Sequence, residues 1–198
     1  RDHKKLIARL ADYEKESRNS EPYTSPTIEH QPLVLSPWQL TGPFKTTGYV
    51  VGHNTVFPPE KTTGSKPDPD ASWRLRPDMV DGTNHRISQS NGVFFFHRTI
   101  TAESATPTVL SFGADDTVKA WLNGELIAER IVAGAVNPDQ ALAHVMLPKG
   151  EHHLLVKVVN GPCIGGFYFN VKQQGLTAEI RGIARIPVAE RSPQQTEK

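Results

Sequence analysis

Residues 113–129, GADDTVKAWLNGELIAE, constrain the fold of this chain more than any other stretch. Val118, Ala120 and Leu122 alternate with Thr117, Lys119 and Trp121, the period-two pattern of a strand with one buried face. Asn123-Gly124 then supplies two residues that tolerate positive φ, as a two-residue type I′ turn requires, so residues 125–128 are predicted to return as the partner strand of a hairpin. Upstream, Asp115-Asp116 falls between a strand ending at Gly113 and one opening at Thr117. The expectation is a turn there, with two carboxylates presented together at a loop tip.

The same period recurs along most of the chain. Strands are predicted at 33–35, 92–101 with its three consecutive phenylalanines, 108–112, 118–122, 126–131, 144–147, 152–159, 167–172 and 179–186. Trp38 to Phe44 reads as a bend with buried aromatics, residues 48–51 as an apolar run, and Asp81-Gly82 as a turn. Residues 53–72 are rich in Pro, Gly and Lys and fit neither period, so a long surface loop is expected. Many short strands separated by turn signals predict an all-β antiparallel sandwich. One helical turn is expected near 137–142, with Asn137 as cap and Pro138 in first position.

The first thirty residues differ in kind. Leu6, Leu10 and Tyr13 recur at helical spacing, with Asp2 as N-cap, which predicts an amphipathic helix followed by an extended linker. Residues 31–188 are assigned to the sandwich and 189–198 to a polar tail. The chain opens Arg1-Asp2-His3 and is read as a piece of a larger protein.

Composition narrows the partners. With 198 residues, 37% of them hydrophobic, the chain can bury one sizeable core. A formal net charge of +1 and the lack of a dense Lys/Arg run argue against nucleic acid. No apolar stretch reaches the ~20 residues of a bilayer span. The single cysteine, Cys163, permits no internal disulfide and is expected to be a small buried hydrophobe.

The order of strand, Gly-x-Asp-Asp, strand and Asn-Gly hairpin, with Phe94 to Ile100 upstream and Val145 to Asn160 downstream, resembles the jelly-roll, galactose-binding-like sandwiches that accompany carbohydrate-active enzymes. The resemblance covers Trp38 to Val171 and extends to the sandwich inserts of large planctomycete-type secreted proteins linked to cytochrome-c-like segments. It implies a non-catalytic module that binds a polysaccharide or glycan, in an extracellular or periplasmic multidomain protein. The alternative is a structural module that docks onto neighbouring domains of its own chain and binds no sugar.

Within that resemblance, sugar-binding sandwiches of the PA14 type use adjacent aspartates to hold Ca2+, which makes Asp115 and Asp116 the candidate metal ligands. The competing reading is an Asx-turn. Trp73, Arg76, His85 and Trp121 are the candidate glycan-binding residues, because a rigid aromatic stacks on a pyranose face at low entropy cost. Trp73 is the best platform of the three tryptophans, and Trp38 reads as core. The eight histidines show no metal-ligand spacing; His152-His153 point to opposite faces, and His97 reads as a hydrogen-bonded packing residue. No Ser, Cys or carboxylate stands in a catalytic arrangement, and the glycine-rich 161–166 segment is expected to be a tight connection between strands. No catalytic activity is expected.

Overall fold

The computed structural model describes residues 32–62, 72–132 and 134–173. Ten strands follow in order: β1 (Val34–Leu35), β2 (Trp38–Lys45), β3 (Arg74–Arg76), β4 (Asn84–Ile87), β5 (Gly92–Ala102), β6 (Thr106–Leu122), β7 (Glu125–Val132), β8 (Ala141–Leu147), β9 (Gly150–Asn160) and β10 (Gly165–Gln173). One short helix, α1 (Tyr49–Asn54), and a 3-10 turn at Pro58–Thr62 lie between β2 and β3. All pairings are antiparallel.

The architecture is the predicted all-β sandwich, and a single strand belongs to both of its sheets. From Thr106 to Asp115, β6 pairs with β8 and β10; from Asp116 to Leu122 it pairs with β7 and β9. The first sheet therefore runs β7-β6-β9-β5-β2-β3, with β1 also on β5, and the second β8-β6-β10-β4. The turn expected at Asp115-Asp116 is absent. The chain runs straight through the pair, because ladder partners change there instead of the chain reversing. This peptide bond and Gly42-Pro43 are both cis.

Alternation assigns the core. Val118, Ala120 and Leu122 of β6, with Phe94, Phe96 and Ile100 of β5 and Leu154, Val156 and Val158 of β9, face the second sheet's Leu110, Phe112, Ala114, Phe167 and Phe169. Trp38, predicted as core, presents its edge to Phe96, Phe167 and Phe169 at centroid separations of 5.1–6.2 Å, and Phe96 stacks on Phe167 at 4.4 Å. Such pairs contribute about 0.5–1.5 kcal/mol each beyond the area they bury.

One ionic node sits within this aromatic wall. Arg98 gives Nη1 to both Asp81 oxygens at 2.7 Å, gives Nε and Nη2 to the Ser36 carbonyl, and lies 4.6 Å above the Trp38 ring. Trp38 Nε1 donates to the same Asp81 at 3.2 Å. The 81–82 turn is thereby tied to β5 across the sandwich.

The Asn123-Gly124 hairpin forms as predicted, with φ of 52° and 92° and Leu122 opposite Glu125. Asn123 does more than accept positive φ: its Nδ2 meets His152 Nδ1 at 3.0 Å and its Oδ1 accepts the His153 N–H at 2.8 Å, pinning the turn onto β9.

Several local expectations are corrected. The 48–51 apolar run and the start of the anticipated 53–72 surface loop together form α1, and that loop holds buried His53 and a 3-10 turn. What won over the local pattern is the outer face of β5 and β9, where Val93, Phe95, Leu155 and Val159 need covering. Lys157, 1% exposed, projects from this face and donates to the His53 and Thr55 carbonyls and to Glu60 Oε1, at 3.1, 2.7 and 2.8 Å. The helical turn expected at 137–142 is a non-helical turn leading into β8. Cys163 is exposed, not a buried hydrophobe. The N-terminal helix, the 179–186 strand and the polar tail lie outside the described residues.

Breaking the Arg98 node should be costly, because a buried guanidinium without its carboxylate is strongly disfavoured. Asp81→Ala is expected to lower the unfolding free energy by about 3 kcal/mol, measured by urea denaturation. A loss below ~0.5 kcal/mol, the range of ordinary surface substitutions, would show that the node is ornamental.

Candidate functional site

Where β6 leaves one sheet for the other, oxygen atoms accumulate. Asp115 is opposite Gly166 of β10, and Asp116 turns its carboxylate to the end of β9, where Oδ2 accepts the Gly161 N–H at 2.7 Å. Asp115 accepts the Gly134 N–H. Burial, followed by the hydrogen bond and negative charge shared with Asp116, pushes the Asp115 carboxyl up to about 6. Among the described residues no Lys, Arg or His forms an ion pair with either aspartate.

A third oxygen completes the cluster. Asn160, the last residue of β9 and fully buried, gives both hydrogens of its Nδ2 to the carbonyls of Gln89 and Cys163, at 2.7 and 3.0 Å. Those two bonds fix which amide atom is oxygen. Its Oδ1 then points back to the crossing, buried and without a donor. This oxygen and the Asp115 carbonyl both close on Gly165, where an added Cβ would strike them, and a Cβ at Gly161 would meet Asp116 Oδ2 at 2.6 Å. The glycines of the 161–166 connection let it approach the oxygens, as its composition predicted. Tyr49 of α1 reaches the same edge, 3.4 Å from the position a Gly161 Cβ would take.

This arrangement suits a hard cation. Ca2+ accepts carboxylate, amide and carbonyl oxygens together, and a buried amide oxygen lacking a donor costs free energy until something positive meets it. Among the described residues no third His, Cys, Asp or Glu joins the pair; the additional oxygen is an amide. Asn160 was visible in the sequence only as the end of a long strand. Its place at the crossing depends on a link between residues 45 positions apart, the Gly161 N–H to Asp116 bond.

The other candidate residues occupy two further places. Trp73 and Trp121 belong to the covered outer face of the first sheet, both half-buried against Phe95 and Leu155. Trp121 is five residues beyond Asp116 on the opposite face of β6, roughly 16 Å along the strand. Trp73 sets its edge on His97, at 6.2 Å between ring centroids, and His97 stacks on His153 at 5.6 Å. His97 packs as expected, but its Nε2 is buried without a hydrogen-bond partner. Arg76 and His85 lie on the other side, around a groove between β3 and β4. Arg76 pairs with Asp78 through two bonds of 2.8 and 2.7 Å, and His85 Nε2 lies 2.9 Å from the Val80 carbonyl.

No protein-family model matches the sequence, and no curated protein matches it. Solved structures do. A β-glucosidase from Kluyveromyces marxianus in complex with glucose is 17% identical over 74% of this chain and 18% of its own, with a TM-score of 0.44. A β-glucuronidase from Faecalibacterium prausnitzii is 23% identical over 69% of this chain and 22% of its own, TM-score 0.40. The PA14 sugar-binding domain of an RTX adhesin is 17% identical over 44% of this chain and 52% of its own, TM-score 0.35. In each case the chain spans well under two thirds of the matched structure.

Two outcomes test these assignments. Gly165→Ala should cost about 1–3 kcal/mol through overpacking, while Gly48→Ala, where a Cβ meets nothing within 4 Å, stays within about 0.5 kcal/mol. Urea titrations of both variants measure the difference, and equal stabilities would refute the close approach at Gly165. Separately, burial and then the charge of His153 hold His97 at about 4, below its ordinary 6.5. The unfolded chain takes up this proton first, so stability present above pH 6.5 is lost as pH falls toward 4, with a steepest slope on the order of 1.4 kcal/mol per pH unit. His53, also lowered by burial, acts in the same sense. His97→Gln should reduce the slope by about one proton's worth; an unchanged slope would place the titration elsewhere.

Proposed function

We propose that this chain is a non-catalytic, Ca2+-dependent carbohydrate-binding module of an extracellular or periplasmic multidomain protein. The observation that carries the reading is the buried Oδ1 of Asn160, without a donor among the described residues and set with the Asp115 carbonyl against Gly165. Asp115, Asp116 and Asn160 would hold the ion. Bound there, Ca2+ supplies open coordination positions to which vicinal sugar hydroxyls bind directly. The chain's own residues contribute the rest: the Gly161 N–H orients the Asp116 carboxylate, Gln89 and Cys163 fix the Asn160 amide, and Gly161 and Gly165 let the connection close on these oxygens.

A glycan array of the purified protein, with and without millimolar Ca2+, tests the module, and calorimetry confirms its hits. Calcium at a hundredfold excess over its Kd should raise the unfolding free energy by about 2.7 kcal/mol. Asp116→Asn and Asn160→Leu should each abolish that gain and the glycan signal together. Absence of both calcium stabilisation and glycan binding in the unaltered protein would refute the reading.

A second reading, a module that docks onto neighbouring domains, is favoured by the outer layer, where Val50, Val51, Val56 and Ile131 stay exposed around the covering of α1. Pull-downs with the neighbouring domains, using Val51→Asp as the negative control, test it. Retained capture by that variant would count against this surface.

A further inference from the structure

The groove between the edge strands β3 and β4 encloses about 350 Å³ at the open side of the sandwich. Its floor is apolar, with Leu40, Phe94 and Phe96 reaching it from the first sheet, and its rim carries Arg74, Arg76 and Arg86. No carboxylate lines it. Asp78 occupies Arg76 through a bidentate pair, but among the described residues no carboxylate reaches Arg74 or Arg86. Arg74 donates only a 3.2 Å bond to the Gly42 carbonyl, and both side chains are exposed.

Position ties this groove to the oxygen cluster. Gln89 lines the groove, and its carbonyl accepts the Asn160 Nδ2 hydrogen bond. Ile87 and Arg86 of β4 lie opposite Gly165 and Gly166, and Gly166 lies opposite Asp115. One β-strand, β10, therefore lies between the backbones of Arg86 and Asp115, which are roughly 10 Å apart at ~4.8 Å per strand. That is about the span of two linked sugar rings.

We infer that the groove is a subsite for an acidic sugar, one whose carboxylate or sulfate is held by Arg74 and Arg86 while the adjoining residue of the same glycan is held at the Asp115-Asp116-Asn160 site. The inference rests on the carbohydrate reading above and names its substrate class. Guanidinium groups recognise carboxylate and sulfate oxygens by paired N–H donors, the apolar floor receives the C–H face of the ring, and both arginines, which have no carboxylate partner among the described residues, are available to it. A neutral glycan leaves these charges unanswered.

Calorimetry of the full chain in millimolar Ca2+ with three probes tests this: an unsulfated chondroitin tetrasaccharide, its sulfated form, and the carboxyl-reduced neutral form. Expected are tighter binding of the acidic probes than of the neutral one, weakening with added NaCl, and a loss of about tenfold for each of Arg74→Ala and Arg86→Ala, with unfolding midpoints unchanged. Preference for the sulfated over the unsulfated probe assigns the anion as sulfate, and equality assigns it as carboxylate. Equal affinity for all three probes, unaffected by the arginine variants, overturns the acidic subsite while leaving the module a lectin. Acidic binding that persists in Asp116→Asn and without Ca2+ instead overturns the linkage between the two sites. Failure of all three probes overturns the subsite, and the calcium titration then decides separately whether the module reading survives.

Discussion

Everything that distinguishes this molecule follows from one strand serving two sheets. A strand that changes partners in mid-course must rotate its hydrogen-bonding edges, and at that point its backbone and side chains are released from regular ladder duties. Here the release falls on Asp115 and Asp116. Their neighbours are the end of β9 and the glycine-rich entry to β10, two segments that also leave regular pairing at this level. The oxygen cluster is thus a product of topology: β6 exchanges β10 for β9 where β9 ends and β10 begins, and polar side chains gather at that junction.

Donor and acceptor balance sets this cluster apart from the buried cations. Arg98 meets a carboxylate and a carbonyl, and Lys157 meets two carbonyls and a carboxylate, so each buried cation is answered. These are closed arrangements, in which removal of one partner strands the other. At the crossing the sign is reversed. Among the described residues the two carboxylates accept from the Gly134 and Gly161 N–H groups, and burial, then the neighbouring Asp116, makes Asp115 hold its proton more tightly. An excess of acceptors costs free energy until a proton, a water or a cation answers it.

Much of the fold was legible because period-two alternation is a local property. The Val118-Ala120-Leu122 face, the hairpin at Asn123-Gly124 and the core role of Trp38 could all be read from residues within a few positions of one another. The Asp115-Asp116 turn was misread for the same reason: two consecutive aspartates have the composition of a turn, and only the change of partners from β10 to β9 reveals a strand. Likewise α1 has no helical signature of its own. Residues 49–54 are helical because the outer faces of β5 and β9 require a lid, and that demand is written in Phe95, Leu155 and Lys157, far along the chain. The metal candidates were visible as a dipeptide, whereas Asn160 needed the register of β6 against β9.

That outer lid also decides where recognition can take place. Sheet faces offer the broadest platform of a sandwich, and Trp121 and Trp73 lie on one of them. Yet the buried Lys157, with Glu60 9% exposed beside it, fastens the 3-10 turn over the same face, and the two tryptophans pack into its margin. A ligand seated across the middle of that face would have to displace a satisfied buried cation, at a cost of several kcal/mol. At the crossing the Asn160 Oδ1, and in the groove Arg74 and Arg86, are without an ionic or donor partner among the described residues, so a ligand there would displace no satisfied buried cation. On the proposed reading, these pre-organised groups are where a polyhydroxylated ligand would gain most from each contact.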